Sequence, residues 1–558
     1  MLNKREIKVH LYCYFIFFIC TLVVIRLAYL QIIKYNYYAE LSKNQVEKTI
    51  EITNNRGIIY DKKGNILASK KAGASIFLYG KEVPDYITFK NALRKAGIYM
   101  NMGEIKSLAQ SSGFRWIKRG IDLSEAYTLK ENYPDIGIIK HEMRFYPKRT
   151  LAADIIGFTG IDNQGLYGVE YRLDSILKLK KTTFSALRDS RGNLISLEDR
   201  ADYDIEKKIY LTIDSQIQRV AEIVLQNDTL AYGAKLGFAA AIDVYTGDII
   251  FSASFPAFDL NKYYNYSRSL WKNKLSQFLF EPGSIFKPIV FSYLIENGLI
   301  NENEKIYCEN GSYRIANHTF NDVHQYSDLK IYDVVVYSSN IGMVKLAKRI
   351  NVENFYNYLT QAGFGRKTNV YGLSEESGFI RPVKDWSKLS KYSLAIGQEL
   401  LVTPLQILRF YAAIANDGFI VKPRIISRID PDGYFDSEYK RIFSSNTSRL
   451  LKGILKEVVI RGTGKNARVP VFDIAGKTGT AQKFEIEQKR YSAHDYIASF
   501  VGFFPTENPR YAMIVLYDSP RKSIYGGGTA AKTYKKIAEQ IAIIENIGIK
   551  QLVVKNEN

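Results

Sequence analysis

Hydrophobic and polar positions divide this chain into stretches of different period. Residues 11–25 carry no charge, Arg26 interrupts, and residues 27–33 are apolar again apart from Gln31. As a helix, residues 11–33 would extend about 34 Å, enough to cross a bilayer. From 34 to about 200 the pattern is one of short strands and helices. Within it, RGIIYD (56–61) and NILA (65–68) flank a tight turn at 63–65 and predict a hairpin. From about 205 the pattern changes. A strand is predicted over 208–213 and a helix over 214–226 capped by Asp214. Strands over 238–244 and 248–254 are joined by the turn at 245–247. More than 200 residues of mainly helical pattern follow. Three strands (472–482, 497–504, 511–517) and a closing helix (529–544) complete the chain. Strands at both ends with helices inserted between them predict an α+β plan, an antiparallel sheet flanked by a helical region.

The chain has 558 residues, 46% hydrophobic and 24% charged, which excludes disorder over most of its length and predicts two to four domains. No internal repeat, Pro-rich linker or low-complexity tract interrupts it. Lys4, Arg5 and Lys8 precede the apolar run, which predicts a cytoplasmic N-terminus and places everything after residue 34 outside. No small-x-small site follows the run, so an uncleaved anchor is expected over a cleaved signal peptide or a buried core helix. Arg26 lies near the outer end, where it can snorkel. The net charge of +20 fits nucleic acid, anionic lipid or an acidic polymer. The outside placement turns that choice away from nucleic acid. Cys13 and Cys20 fall within the apolar run, leaving Cys308 without a disulfide partner. The five histidines have no zinc-ligand spacing, and no metal or cofactor is expected.

Three short motifs carry candidate chemistry. In Glu281-Pro282-Gly283-Ser284-Ile285-Phe286-Lys287-Pro288, Pro288 is tolerated only in a first helical turn, so a helix is expected to start near Ser284. Ser284 and Lys287 then share one face, and a lysine whose pKa is lowered by burial can act as base to a serine. Ser338-Ser339-Asn340 offers a hydroxyl to relay a proton and an amide to bind a peptide carbonyl. Ala475-Gly476-Lys477-Thr478-Gly479-Thr480-Ala481 lies in a predicted strand, where small residues let another backbone approach and Lys477 can hold a carboxylate. Each alone also reads as ordinary capping or surface chemistry. Gly476-Lys477-Thr478 is not a phosphate loop, because Val471 stands where that pattern needs glycine.

Taken in order, SxxK, SxN and KTG form the serine-acylase set of penicillin-binding proteins and serine β-lactamases. RGIIYDKKGNILA, RFYP (144–147) and GLYGVE (165–170) extend the resemblance to nearly the whole chain, which resembles a class B penicillin-binding protein. The EPGS lead-in, Asn340 and AIGQELLVTPLQ (395–406) are similar to the FtsI-like division type. Lys532 departs from the proline usual there. A β-lactamase would lack the anchor and the N-terminal motifs, and a bifunctional class A protein would carry a glycosyltransferase motif that is not found.

The resemblance implies a penicillin-binding transpeptidase fold, an antiparallel sheet flanked by helices with a helical subdomain. It implies five segments: a cytoplasmic tail (1–10), a transmembrane anchor (11–33), a mixed α/β non-catalytic pedestal (34–204), a transpeptidase domain (205–545) and a tail (546–558). Ser284 would attack the D-Ala–D-Ala bond of a peptidoglycan stem peptide, Lys287 would take its proton and Ser338 would relay it. The backbone N–H groups of Ser284 and Thr480 would form the oxyanion hole. Asn340, Lys477, Thr478, Gly479 and Thr480 would hold the donor peptide. β-Lactams would trap Ser284. Implied partners are the membrane, an FtsW-type glycosyltransferase and other division proteins, in a single-pass protein of the bacterial inner membrane. An elongation-type transpeptidase, a D,D-carboxypeptidase, a β-lactam sensor and a non-catalytic scaffold are the alternatives.

Overall fold

The computed structural model describes residues 4–52, 56–80, 85–110, 113–134, 136–178, 182–188, 194–199, 206–485 and 490–547. The expected boundary at 204/205, residues 1–3 of the N-terminal tail and residues 548–558 of the C-terminal tail lie outside these. The chain forms two compact units, residues 1–54 with 179–205, and 55–178 with 206–558.

In the first unit, a helix over Lys4–Ala28 continues through a π-helical turn, Tyr29–Ile33, to a second helix, Tyr35–Val46. Ile7–Ile33 spans 27 residues and holds an 18-residue stretch with a mean hydropathy of 2.3, long and apolar enough to cross a membrane. The Arg26 guanidinium lies 5.3 Å from the Tyr29 ring centre, a cation–π contact near the end of the span. The Thr21 hydroxyl donates to the Phe17 carbonyl at 2.8 Å, so its polar group is satisfied within the helix. Strand Thr182–Arg188 pairs antiparallel with Glu47–Ile52 and with Leu194–Asp199.

The second unit is built on two sheets. In the first, β1 (Ile58–Tyr60) and β2 (Ile66–Gly80) form the expected hairpin, but β2 runs on for fifteen residues. β2 also pairs with β3 (Gly113–Asp122) and β4 (Gly137–Phe145). On its other side β1 pairs parallel with β5 (Lys208–Leu211). α1 (Ser215–Tyr232) follows, with the Asp214 carboxylate accepting from the N–H groups of Gln216 and Ile217. Asp61 at the end of β1 accepts from Ser215 N at 3.2 Å, which ties the hairpin to that helix start.

The second sheet is antiparallel, in the order β7 (Ile249–Phe255), β6 (Leu236–Asp243), β12 (Tyr511–Asp518), β11 (Arg490–Phe504), β10 (Ala475–Glu485). It is covered on both faces, so β6 reads as a nearly unbroken apolar run and is buried along its length. One face packs on α1 and the closing helix α5 (Ala530–Ile544). The other meets the helical region, which contains α2 (Lys287–Glu296), α3 (Asn340–Ala347) and α4 (Pro404–Ala415). That region also carries four two-stranded sheets among the described residues, including β8 (His318–Asn321), paired with Ser312–Ile315. The mainly helical expectation passed over them, because strands of two to four residues leave no period to read. β9 (Ile426–Asp430) leaves the region to pair with β5.

The three N-terminal motifs converge on one buried carboxylate. Glu170 accepts from Arg56 Nε and Arg144 Nε, both at 2.6 Å, and from the Tyr146 hydroxyl at 3.2 Å. Arg56, only 2% exposed, also reaches Asp174 at 2.5 Å and the Asn163 carbonyl at 2.9 Å. Arg56 is held by Glu170 and Asp174 rather than by Asp61, five residues on, because Asp61 is filled by the N–H groups of Lys63, Asn65 and Ser215 and by the Asn65 amide.

Candidate active site

Ser284 sits on a 3-10 turn, Gly283–Phe286, that leads directly into α2. Pro288 occupies the first turn, where its missing N–H removes no helical bond. The apolar residues that follow bury α2 almost completely, so the turn projects from a fixed rod. The segment 395–406 braces it from behind. Gly283 N donates to Gly397 O at 3.0 Å, and a Cβ on Gly397 (φ +79°) would stand 2.1 Å from Gly283 O. Only glycine permits that approach. Beyond it, the Tyr411 hydroxyl on α4 donates to Ile285 O at 2.9 Å. Glu281 accepts from Glu399 N at 2.9 Å and the Tyr491 hydroxyl at 3.1 Å, and burial raises its pKa.

Ser338 lies between two helical segments with φ at +61°, a left-handed conformation uncommon outside glycine. Val335 O and Val334 O accept from Ser338 N and Ser339 N at 3.2 and 2.9 Å, and hold it there. The Ser339 hydroxyl caps α3 by accepting from Gly342 N at 2.9 Å. The Asn340 amide donates to Asn321 O at the end of β8 at 2.8 Å, which turns its oxygen toward Lys287.

β10 is an edge strand of its sheet and presents Lys477, Thr478, Gly479 and Thr480 beside the Ser284 turn. A Cβ on Gly479 would lie 2.4 Å from Ser499 Oγ and 3.0 Å from Ile285 Cγ2. The Thr478 hydroxyl is 2.6 Å from that of Thr463, and Thr480 Oγ1 accepts from Gly526 N at 3.3 Å. A cleft of about 670 Å³ opens over these elements, lined by Ser284, Ser338, Asn340, Thr478 and Thr480 and walled by Tyr326, Tyr337, Tyr496 and Tyr525.

Four of the sequence-predicted residues share one hydrogen-bond network. Lys287 Nζ donates to Ser338 O at 2.6 Å and to Asn340 Oδ1 at 2.8 Å, and lies 3.2 Å from Ser338 Oγ. Lys477 Nζ lies 2.9 Å from the same Oγ and 3.1 Å from Thr478 O. Both lysines are fully buried. Burial brings the Lys287 pKa down to about 7, against a smaller opposing effect of Asp322. Burial and then the charge of Lys287 hold Lys477 well below the usual lysine range. A neutral Lys287 can donate twice, to Ser338 O and Asn340, and accept the Ser338 hydroxyl on its lone pair. The amine is thus held against Ser338 and Asn340, while Ser284 lines the cleft. Tightening of such contacts on substrate binding is a common feature of free enzymes.

Sequence reasoning missed Asp322, which underlies the SxN turn, and Thr463, which pairs with Thr478. An isolated aspartate after a four-residue strand and a threonine in a Gly-Thr-Gly loop carry no period or spacing that would have marked them.

The chain matches the model for the penicillin binding protein transpeptidase domain over residues 237–539, and that for the penicillin-binding protein dimerisation domain over 51–210. It is 30% identical to the probable peptidoglycan D,D-transpeptidase PenA of Neisseria meningitidis, over 92% of this chain and 89% of the relative. It is 29% identical to the peptidoglycan D,D-transpeptidase FtsI of Escherichia coli K12, over 96% and 91%. Among solved structures, penicillin binding protein 3 of Mycobacterium tuberculosis complexed with aztreonam aligns with a TM-score of 0.69 and 26% identity, over 89% of this chain and 98% of that one.

Proposed function

This chain belongs to the penicillin-binding protein transpeptidase family, and from that premise we propose that it is a class B peptidoglycan D,D-transpeptidase acting in septal wall synthesis. The observation that carries the reading is the meeting of Lys287, Ser338, Asn340 and Lys477 in one buried network beside Ser284 and an edge strand. An extended stem peptide can add along β10 by main-chain hydrogen bonds, as peptides do on exposed sheet edges. The Ser284 oxygen attacks the carbonyl carbon of the penultimate D-alanine, and Lys287 takes the serine proton. The peptide bond breaks, and the terminal D-alanine leaves with a proton delivered through Ser338. An amine of a second stem peptide then attacks the ester, frees Ser284 and forms the cross-link. The backbone N–H groups of Ser284 and Thr480 serve as oxyanion donors. Asn340, Lys477, Thr478, Gly479 and Thr480 orient the donor, and a β-lactam occupies the same place and acylates Ser284.

Residues 34–204 serve as a non-catalytic pedestal, supported by the dimerisation-domain match over 51–210. The apolar span Ile7–Ile33 anchors the protein in the inner membrane with its N-terminus in the cytoplasm and the remainder outside. Tyr29, Tyr35, Tyr37 and Tyr38 at its distal end, all exposed, have the amphipathic rings that favour a membrane–water boundary. The division role rests on the relatives named FtsI and on Asn340. It calls for an FtsW-type glycosyltransferase and other division proteins to supply glycan strands.

The reaction is tested by supplying glycan strands with D-Ala–D-Ala stems to the full chain together with a glycosyltransferase. Cross-linked muropeptides with release of one D-alanine per cross-link are expected. Release of D-alanine without dimers would assign the carboxypeptidase reaction instead.

A further inference from the structure

The carboxylate of Asp322, which follows β8, is joined to the SxN turn at three points. Ser339 Oγ donates to Oδ2 at 2.6 Å, while Asn340 N and Ile341 N both donate to Oδ1, the latter at 3.0 Å. These N–H groups are the unpaired donors of the first turn of α3, where an anion is favoured by both hydrogen bonding and the helix dipole. β8 supplies a fourth tie next door, through the bond from the Asn340 amide to Asn321 O. With its backbone and side-chain amide both held, Asn340 has one free group, the Oδ1 that meets the Lys287 amine at 2.8 Å.

We propose that Asp322 is a positioning residue for acyl transfer: it fixes Asn340 against the Lys287 amine and is the counter-charge beneath the turn that opposes loss of the amine's proton. The proposal rests on the reading of Lys287 as the base for Ser284.

Asp322 favours a positive charge on the buried amine, and that charge in turn disfavours one on Lys477 of β10. Asp322 is itself faced by the buried Cys308 thiol and by Tyr326, both of which its charge biases toward their neutral forms. A simple helix cap would need no charge, since an amide oxygen can accept the same N–H bonds. The charge itself is what separates the two roles.

Asp322→Asn tests this, because it keeps an acceptor for the α3 N–H groups and removes the charge. The readout is the second-order rate of acylation of the full chain in detergent by a chromogenic cephalosporin, from pH 5.5 to 9.5. In the wild type the rate should rise with pH through about 7. In Asp322→Asn the Lys287 pKa falls further, so the rising limb should move to lower pH, on the order of one unit. Asp322→Glu keeps the charge but displaces the turn, so its limb should stay in place while the plateau falls. It gives the same separation of roles if Asp322→Asn does not fold. A limb unmoved in Asp322→Asn, with only a lower plateau, would overturn the counter-charge. So would a limb moved by Asp322→Glu as far as the asparagine variant is expected to move it. If the wild type is not acylated, or shows no limb, the reading of Lys287 as base fails first, and that failure is distinct from this one.

Discussion

Lys287 and Lys477 reach the same hydroxyl, with Ser338 Oγ 3.2 Å from one amine and 2.9 Å from the other. Two ammonium groups buried this close disfavour each other's charge, and burial disfavours both. The arrangement therefore yields uncharged nitrogen, the form a general base requires, from side chains that are cations in water. Ser338, held in a left-handed conformation, is the bridge that a proton can cross.

Acylation should depend on the protonation of Lys287. Its pKa near 7 lies below that of an unfolded lysine, so the base form grows as pH rises through 7. The acylation rate should fall about tenfold for each pH unit below that point. Stopped-flow measurement with a chromogenic cephalosporin checks this, and a flat profile between pH 5.5 and 8 would argue against a lysine base.

The seam between β10 and the Ser284 turn has no room for a methyl group at Gly479. Gly479→Ala should push the strand away from Ser284 and lower the acylation rate by about 100-fold, the cost expected of a displacement near 1 Å. The thermal midpoint should fall by only a few degrees, because β10 is an edge strand. A rate within threefold of wild type would show that the strand is not part of the reacting geometry.

Glu170→Ala should unfold the protein far more readily than it inactivates it. Removing that carboxylate strips Arg56 and Arg144 of their shared partner in a buried site, a loss of about 3–5 kcal/mol. Asp61→Ala removes a cap of N–H groups and should cost about 1–2 kcal/mol. Urea denaturation of the two variants gives the comparison, and equal midpoints would contradict the network.

The elements that carry SxxK, SxN and KTG were legible in the sequence, because each motif marks a local structural need. These are a proline-tolerant first turn, a helix cap and a close-packed edge strand. The sheet strands were legible for a similar reason: β6 and β12 are continuous apolar runs of the length a covered strand requires. Partner choice was not legible. Arg56 has Asp61 five residues away, yet binds Glu170, because β1 and its hairpin satisfy Asp61 locally. Asp322 lies eighteen residues before Asn340, and only the return of β8 against α3 brings them together. Such pairings are set by tertiary packing, which leaves no period in a single sequence.

The division role predicts where the protein works. In a rod-shaped host, depletion should give filaments, and a tagged copy should collect at midcell. Cells that round up while still dividing would favour the elongation-type reading. Protease added to spheroplasts should leave only a short N-terminal stub, whereas a protected full-length chain would contradict the outward orientation.

The central claim is that Ser284 is the nucleophile, and labelling with fluorescent penicillin followed by peptide mapping addresses it most directly. One adduct is expected, on the peptide containing Ser284, with Ser284→Ala folded but unlabelled. An adduct on another serine, or continued labelling of the folded Ser284→Ala variant, would contradict the account.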